Sequence, residues 1–115
     1  MTKQEMFTKA WLGLAGQNWE QSVLFGECMY RGPGGLKCAA GHLIPDEKYR
    51  SEMEYVSIPS LLEKYPFLLG KLLDDDHKEF LWQMQKAHDS NTALFIRAKM
   101  MDIAKANELV VPEVE

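Results

Sequence analysis

Only two of the 115 residues are cysteine, Cys28 and Cys38. That is too few for a disulfide scaffold and suits a reducing cytosol. Basic excess is missing as well: 13 Lys and Arg stand against 17 Asp and Glu, a net charge of -4. A general nucleic-acid binder is disfavoured, because such affinity comes from cations that neutralise phosphates. No apolar run approaches the ~18 residues that a membrane span needs. The opening Met1-Thr2-Lys3-Gln4-Glu5-Met6-Phe7 lacks the basic and then apolar regions of a secretory signal, so no export is expected. The phosphate-binding loop G-x-x-x-x-G-K-[ST], the dinucleotide fingerprint G-x-G-x-x-G and the nucleophile elbow G-x-S-x-G do not occur. There is no internal repeat and no low-complexity segment.

What the chain does have is core material, with 46% apolar residues and 12 aromatics. One domain is expected over residues 1–109, followed by a loose tail over 110–115. Thr2 with Glu5 three residues on is a capping box, and Phe7, Ala10, Trp11 and Leu14 then recur at helical spacing up to Gly16. Gly13 inside that pattern weakens the helix by about 1 kcal/mol relative to Ala. The period changes at Val23. Val23 to Phe25 and Cys28 to Tyr30 suit extended chain, Gly32-Pro33-Gly34-Gly35 is a turn, and Leu36 to Ala39 is the return strand. The remainder reads as helix: a short polar one over Asp46 to Met53, then an entry at Ser57-Ile58-Pro59. Another follows with Phe80, Leu81, Met84 and Ala87 on one face, with Asp76 and Glu79 as its cap pair. The last runs from Thr92 to Ala106 and is apolar over more than one stripe. The fold class expected is α+β, helix-dominated, with four to six helices and a small β-hairpin around residues 28–39. Trp11, Phe80, Leu81, Met84 and Ile103 are expected in the core.

Charge is uneven. Residues 1–41 carry net +1, residues 42–80 net -4 and residues 81–115 net -1. The middle acids Asp46, Glu47, Glu52 and Glu54 are the candidate partner-binding face, since an acidic surface complements a basic groove. Arg31, Gly32, Gly34, Gly35 and Lys37 form an alternative ligand loop, in which free backbone N–H groups and two cations could cradle an anionic nucleotide. Cys28, Cys38 and His42 could supply three zinc ligands, with a fourth from His77, His88 or an acid. The C-x2-C spacing that makes zinc motifs specific is absent, and buried structural thiols are the simpler reading. The two sulfurs share a face only if a three-residue loop sets Tyr30 opposite Cys38. Cys28 or Cys38 with His42, oriented by Asp46, is the one thiol–imidazole arrangement to weigh for catalysis. Asp74-Asp75-Asp76 reads as favourable charge at a helix start rather than a cation site.

The run from Cys28-Met29-Tyr30-Arg31-Gly32 through Gly34-Gly35, Lys37-Cys38-Ala39, Gly41 and Leu43-Ile44-Pro45-Asp46-Glu47-Lys48-Tyr49 resembles the signature of a family of small bacteriophage and prophage proteins. The match covers about a fifth of the chain, and the family carries no assigned activity. The resemblance implies a small protein acting in an infected bacterial cytosol. The expectation is a non-enzymatic protein that binds and inhibits or modulates a bacterial host protein, such as a defence-system component. It needs no cofactor and has no membrane partner, and self-association is compatible with it. The alternatives are a nucleotide-sequestering protein using the Arg31–Lys37 loop, and a metal- or thiol-dependent enzyme.

Overall fold

The computed structural model describes residues 2–90 and 92–112. Helix α1 spans Lys3–Gly16, and the capping box forms as the sequence requires. Glu5 N–H donates to Thr2 Oγ1 (3.1 Å), and Thr2 N–H donates to Glu5 Oε1 (3.0 Å). Gly16 closes the helix without itself turning left-handed. The turn is made by Asn18 and Trp19, at φ 55° and 62°, with Trp19 N–H on the Leu14 carbonyl. A left-handed tryptophan is costly, and here the cost is offset by packing, because its ring meets Trp11 edge-on at 4.7 Å.

The β-ladder lies one turn earlier than the sequence suggests. Strands β1 (Val23–Leu24) and β2 (Glu27–Cys28) pair antiparallel, joined through Phe25 and Gly26. Both turn residues have positive φ, 52° and 81°, which is the I′ geometry that matches the twist of a two-residue hairpin. The glycine-rich segment beyond it does reverse the chain, but as a single 3-10 turn over Pro33–Gly35. One isolated bridge, Arg31 to Lys37, joins its two arms. Gly32 N–H donates to the Leu36 carbonyl at 2.8 Å, so the register is that of a three-residue loop. No ladder extends to Ala39, because Tyr30 and Arg31 N–H turn to the carboxylate of Glu54 instead. The polar helix expected over Asp46 to Met53 is only turns and a 3-10 turn over Ser51–Met53.

Helices α2 (Ile58–Lys64), α3 (Asp75–Asp89) and α4 (Ala93–Ala106) complete a helix-dominated α+β fold. Asp74, two residues before the expected cap, caps α3 by accepting from His77 N–H at 2.8 Å. Asp75 and Asp76 then stand in the first turn, where the helix dipole favours anions. Trp11, Phe80, Leu81 and Met84 are buried together with Phe7, Ile96 and Met100, while Ile103 is only half-buried. Helix α4 puts Ile96, Met100 and Ala104 into the core and leaves Leu94, Phe95 and Met101 in solvent. Val110, expected to begin a loose tail, is held by paired hydrogen bonds to the Gln4 amide. No helix among the described residues is long and apolar enough to cross a membrane.

Candidate functional site

The segment from Tyr30 to Glu54 is tied into a knot of hydrogen bonds. The Arg31 guanidinium donates to the Ile44 carbonyl (3.1 Å) and to Asp46 Oδ1 (2.7 Å), and it lies over the Tyr49 ring at 4.5 Å. Glu54 receives Tyr30 N–H, Arg31 N–H and the Tyr49 hydroxyl on one carboxylate. Burial and that carboxylate push the Tyr49 hydroxyl up to about 12, so it stays a donor. Close approach to backbone dictates Gly41, and a side chain crowds Gly32. A Cβ on Gly41 would lie 2.0 Å from the Tyr30 carbonyl oxygen, and one on Gly32 would lie 2.5 Å from Ser22 Oγ. Arg31, proposed as an anion ligand, is therefore engaged within the fold. Lys37 Nζ lies 3.9 Å from the same Asp46 oxygen. Of the four acids proposed as a face, Asp46 and Glu54 serve this knot, and Glu47 and Glu52 are exposed.

The proposed zinc trio does not assemble among the described residues. Cys38 is fully buried, its sulfur accepting from Gly41 N–H at 3.3 Å. His42 Nε2 faces Gln17 Oε1 at 2.9 Å. Burial, reinforced by Lys37, lowers the His42 imidazole to about 4. Cys28 instead meets the end of α3, where one ligand atom each from Cys28, His88 and Asp89 lie within 4.8 Å of one another.

That cluster superficially suits a metal or a thiol catalyst, and its hydrogen bonds speak against both. His88 is fully buried, and its Nε2 accepts Ser22 N–H at 2.9 Å. A backbone donor at Nε2 forces the neutral ring to carry its proton on Nδ1, which faces Asp89 Oδ1 at 2.8 Å. Neither nitrogen keeps a lone pair for a cation or for a thiol proton. Burial and then the Asp89 charge push the Cys28 thiol up to about 12, away from the thiolate that attacks electrophiles. Gln85 continues the network, with Nε2 on the Asp89 carboxylate and Oε1 accepting Ala40 N–H at 2.9 Å. Its role is to fasten the hairpin arm to α3.

Above it opens a cleft of about 530 Å³ whose walls include Cys28, Tyr55, Ile58, Trp82, Lys86 and Asp89. Trp82, Gln85, Lys86 and Asp89 recur at i, i+3, i+4 and i+7, so α3 turns one whole face to it. Gly26 and Glu27 of the hairpin also line it. Two neighbouring hollows, about 570 and 620 Å³, reach the same Trp82. Phe25 is 96% exposed, Tyr55 66% and Trp82 41%. Lys86 Nζ rests 5.0 Å from the centre of the Trp82 ring.

Sequence reasoning missed this face. Its signal was available in α3, where Trp82 falls opposite the apolar stripe of Phe80, Met84 and Ala87. No family model, curated protein or solved structure matches the chain.

Proposed function

We propose that this chain is a non-enzymatic binding protein of the bacteriophage type, which works in the bacterial cytosol by occupying a host protein and blocking or modulating it. A defence-system component would be a fitting target. One observation carries this reading: Phe25 and Tyr55 are held left-handed, at φ 52° and 64°, with their side chains in solvent. Each such bulky residue costs on the order of 1–3 kcal/mol. Trp19 recovers that cost by packing on Trp11; Phe25, at 96% exposure, recovers almost nothing inside its own chain. Strain kept for displaying an aromatic side chain is understandable if a partner buries it, and Trp and Tyr are the residues that most often anchor interfaces. The protonated Cys28 and the fully engaged His88 support binding over thiol chemistry. The engaged Arg31 supports it over nucleotide sequestration.

The experiment is affinity capture from bacterial lysate with immobilised wild type, Phe25→Asn, Trp82→Ala and the double variant Glu47→Lys/Glu52→Lys. A specific bacterial protein should be held by wild type and released by the two aromatic variants. Equal retention by all four, or a nucleotide freed when the purified protein is denatured, would overturn the reading.

A further inference from the structure

A separate hollow of about 400 Å³ shares no lining residue with those that reach Trp82. Two turns line it. In one, Tyr49 N–H donates to the Pro45 carbonyl; in the other, just past α2, Leu68 N–H donates to the Tyr65 carbonyl. Lys48 Nζ ties the two together by donating to the Phe67 carbonyl at 3.0 Å. Tyr65, Pro66, Phe67 and Leu68 supply the apolar side, and Phe67 is left 61% exposed. The surface is chiefly apolar although four of its eight lining residues are charged, so the long side chains contribute their carbon stems.

Charge is sorted here against the trend of the molecule. Residues 42–80 hold nine acids and five cations, yet this hollow takes three of those cations, Lys48, Arg50 and Lys64, and only one acid, Glu47. Among the described residues no carboxylate pairs with any of the three. Lys48 and Arg50 donate to backbone carbonyls, and Lys64 Nζ lies 5.8 Å from the centre of the Tyr65 ring. All three charges therefore stay uncompensated. Each acts over roughly 8 Å at physiological salt, enough to reach a ligand seated in the hollow.

We propose that this hollow receives an acidic peptide segment of a partner protein. One aromatic or aliphatic side chain of the segment seats against Tyr65 and Phe67, and the acids flanking it meet Lys48, Arg50 and Lys64. The volume is near the small end of ligand pockets, about 300 Å³, which suits a single anchoring side chain. A bilayer fits less well. Polybasic membrane contacts use about 4–8 Lys and Arg, and a chain of net charge -4 is repelled by anionic lipid. The site is separate from the Trp82 face, so the inference goes beyond the host reading and stands without it.

Fluorescence anisotropy with labelled synthetic peptides tests this, using phenylalanine, leucine or tryptophan in turn between two runs of glutamate. At least one peptide should bind the full chain with a dissociation constant below about 1 mM. Binding should weaken several-fold as salt rises from about 50 to 300 mM. Arg50→Glu/Lys64→Glu should weaken it at least about 10-fold, and Phe67→Ala about 5-fold. Glu47→Gln should tighten it about 2-fold, a gain that no folding defect produces. These side chains are exposed, so each variant should melt within about 3 °C of wild type. Trp82→Ala should bind the peptide as wild type does. Absence of binding by all three peptides at about 1 mM overturns the proposal. So does equal binding of peptides with lysine in place of glutamate, or an affinity that the charge-reversed variant keeps. Sedimentation with phosphatidylglycerol vesicles in preference to peptide would make the hollow a membrane contact and overturn it too. If the peptide binds and no host protein is held through Phe25, only the host reading has failed. If the host protein is held and no peptide binds, only this proposal has failed.

Discussion

Gly13 of α1 lies flat against the imidazole of His42: a Cβ at that position would sit 2.3 Å from His42 Nδ1 and 2.4 Å from Cγ. Helix propensity alone counts the glycine as a loss. The contact makes it a requirement, because the ring fills the space that any side chain would use. His42 is fixed there by Gln17, whose amide nitrogen also donates to the Lys37 carbonyl (2.6 Å) and whose oxygen accepts Lys37 N–H (3.1 Å). The contact therefore clamps the hairpin arm to the first helix.

Gly13→Ala should destabilise the protein by about 1–3 kcal/mol, the usual range for overpacking, despite the better helix former. Adding His42→Ala should restore part of the loss, since the two changes relieve one another. Urea unfolding of the four species of that cycle measures the coupling. Additive effects would show that the ring and the helix do not press together.

The same imidazole sets a pH dependence. Its folded value, about 4, lies below the ordinary 6.5, so the unfolded chain binds the extra proton first. Stability is fully present above about pH 6.5 and declines as the pH falls toward 4. The ring is half-buried, so solvent screening limits the effect to about 1 kcal/mol. Urea midpoints at pH 7.0 and 5.5 should differ more for wild type than for His42→Asn. An identical difference in the two proteins would exclude His42 as the source.

Glu54 separates a fold residue from a surface charge. Removing its carboxylate strands two backbone N–H groups and the Tyr49 hydroxyl, so Glu54→Ala should cost about 2–4 kcal/mol. Glu52→Ala, two residues away and exposed, should change stability by less than about 0.5 kcal/mol. Thermal melts of the two variants decide it. Charge reversal at Glu54 would therefore report on folding, and a test of acidic steering belongs at Glu47 and Glu52.

These cases show which parts of the molecule sequence reasoning reaches. The Thr2–Glu5 cap, the α1 stripe and the buried face of Phe80, Leu81 and Met84 are local, set by spacings of three and four residues, and they form as expected. Glu54 meets Arg31 across 23 residues and His88 meets Ser22 across 66. No periodicity announces such partners, so Glu54 read as one acid among four and His88 as a candidate fourth zinc ligand. The hairpin was displaced for a related reason. Gly32 to Gly35 is the stronger turn signal, yet Phe25-Gly26 takes the I′ turn, with a phenylalanine where the geometry favours asparagine. A residue that defies its local preference is invisible to propensity, and here it marks the candidate site.

The last test concerns metal. Cys28, His88 and Asp89 are close enough to chelate, so zinc is the direct challenge to the hydrogen-bond argument. Binding would require the His88 ring to give up its Ser22 N–H or its Asp89 carboxylate. A ligand that bound only the folded state would raise the melting temperature with its concentration. Zinc at several-fold excess should therefore leave the melting temperature within about 1 °C of the metal-free value, because a tenfold excess over its dissociation constant would add about 1.4 kcal/mol. Cys28 should also alkylate slowly at neutral pH, and Cys38 should not react until the protein unfolds, because both thiols are held protonated and Cys38 is buried. A zinc-dependent rise of several degrees that Cys28→Ser abolishes would show that the network opens to a cation. It would also move the chemistry of this cleft from fastening the hairpin arm to holding a metal.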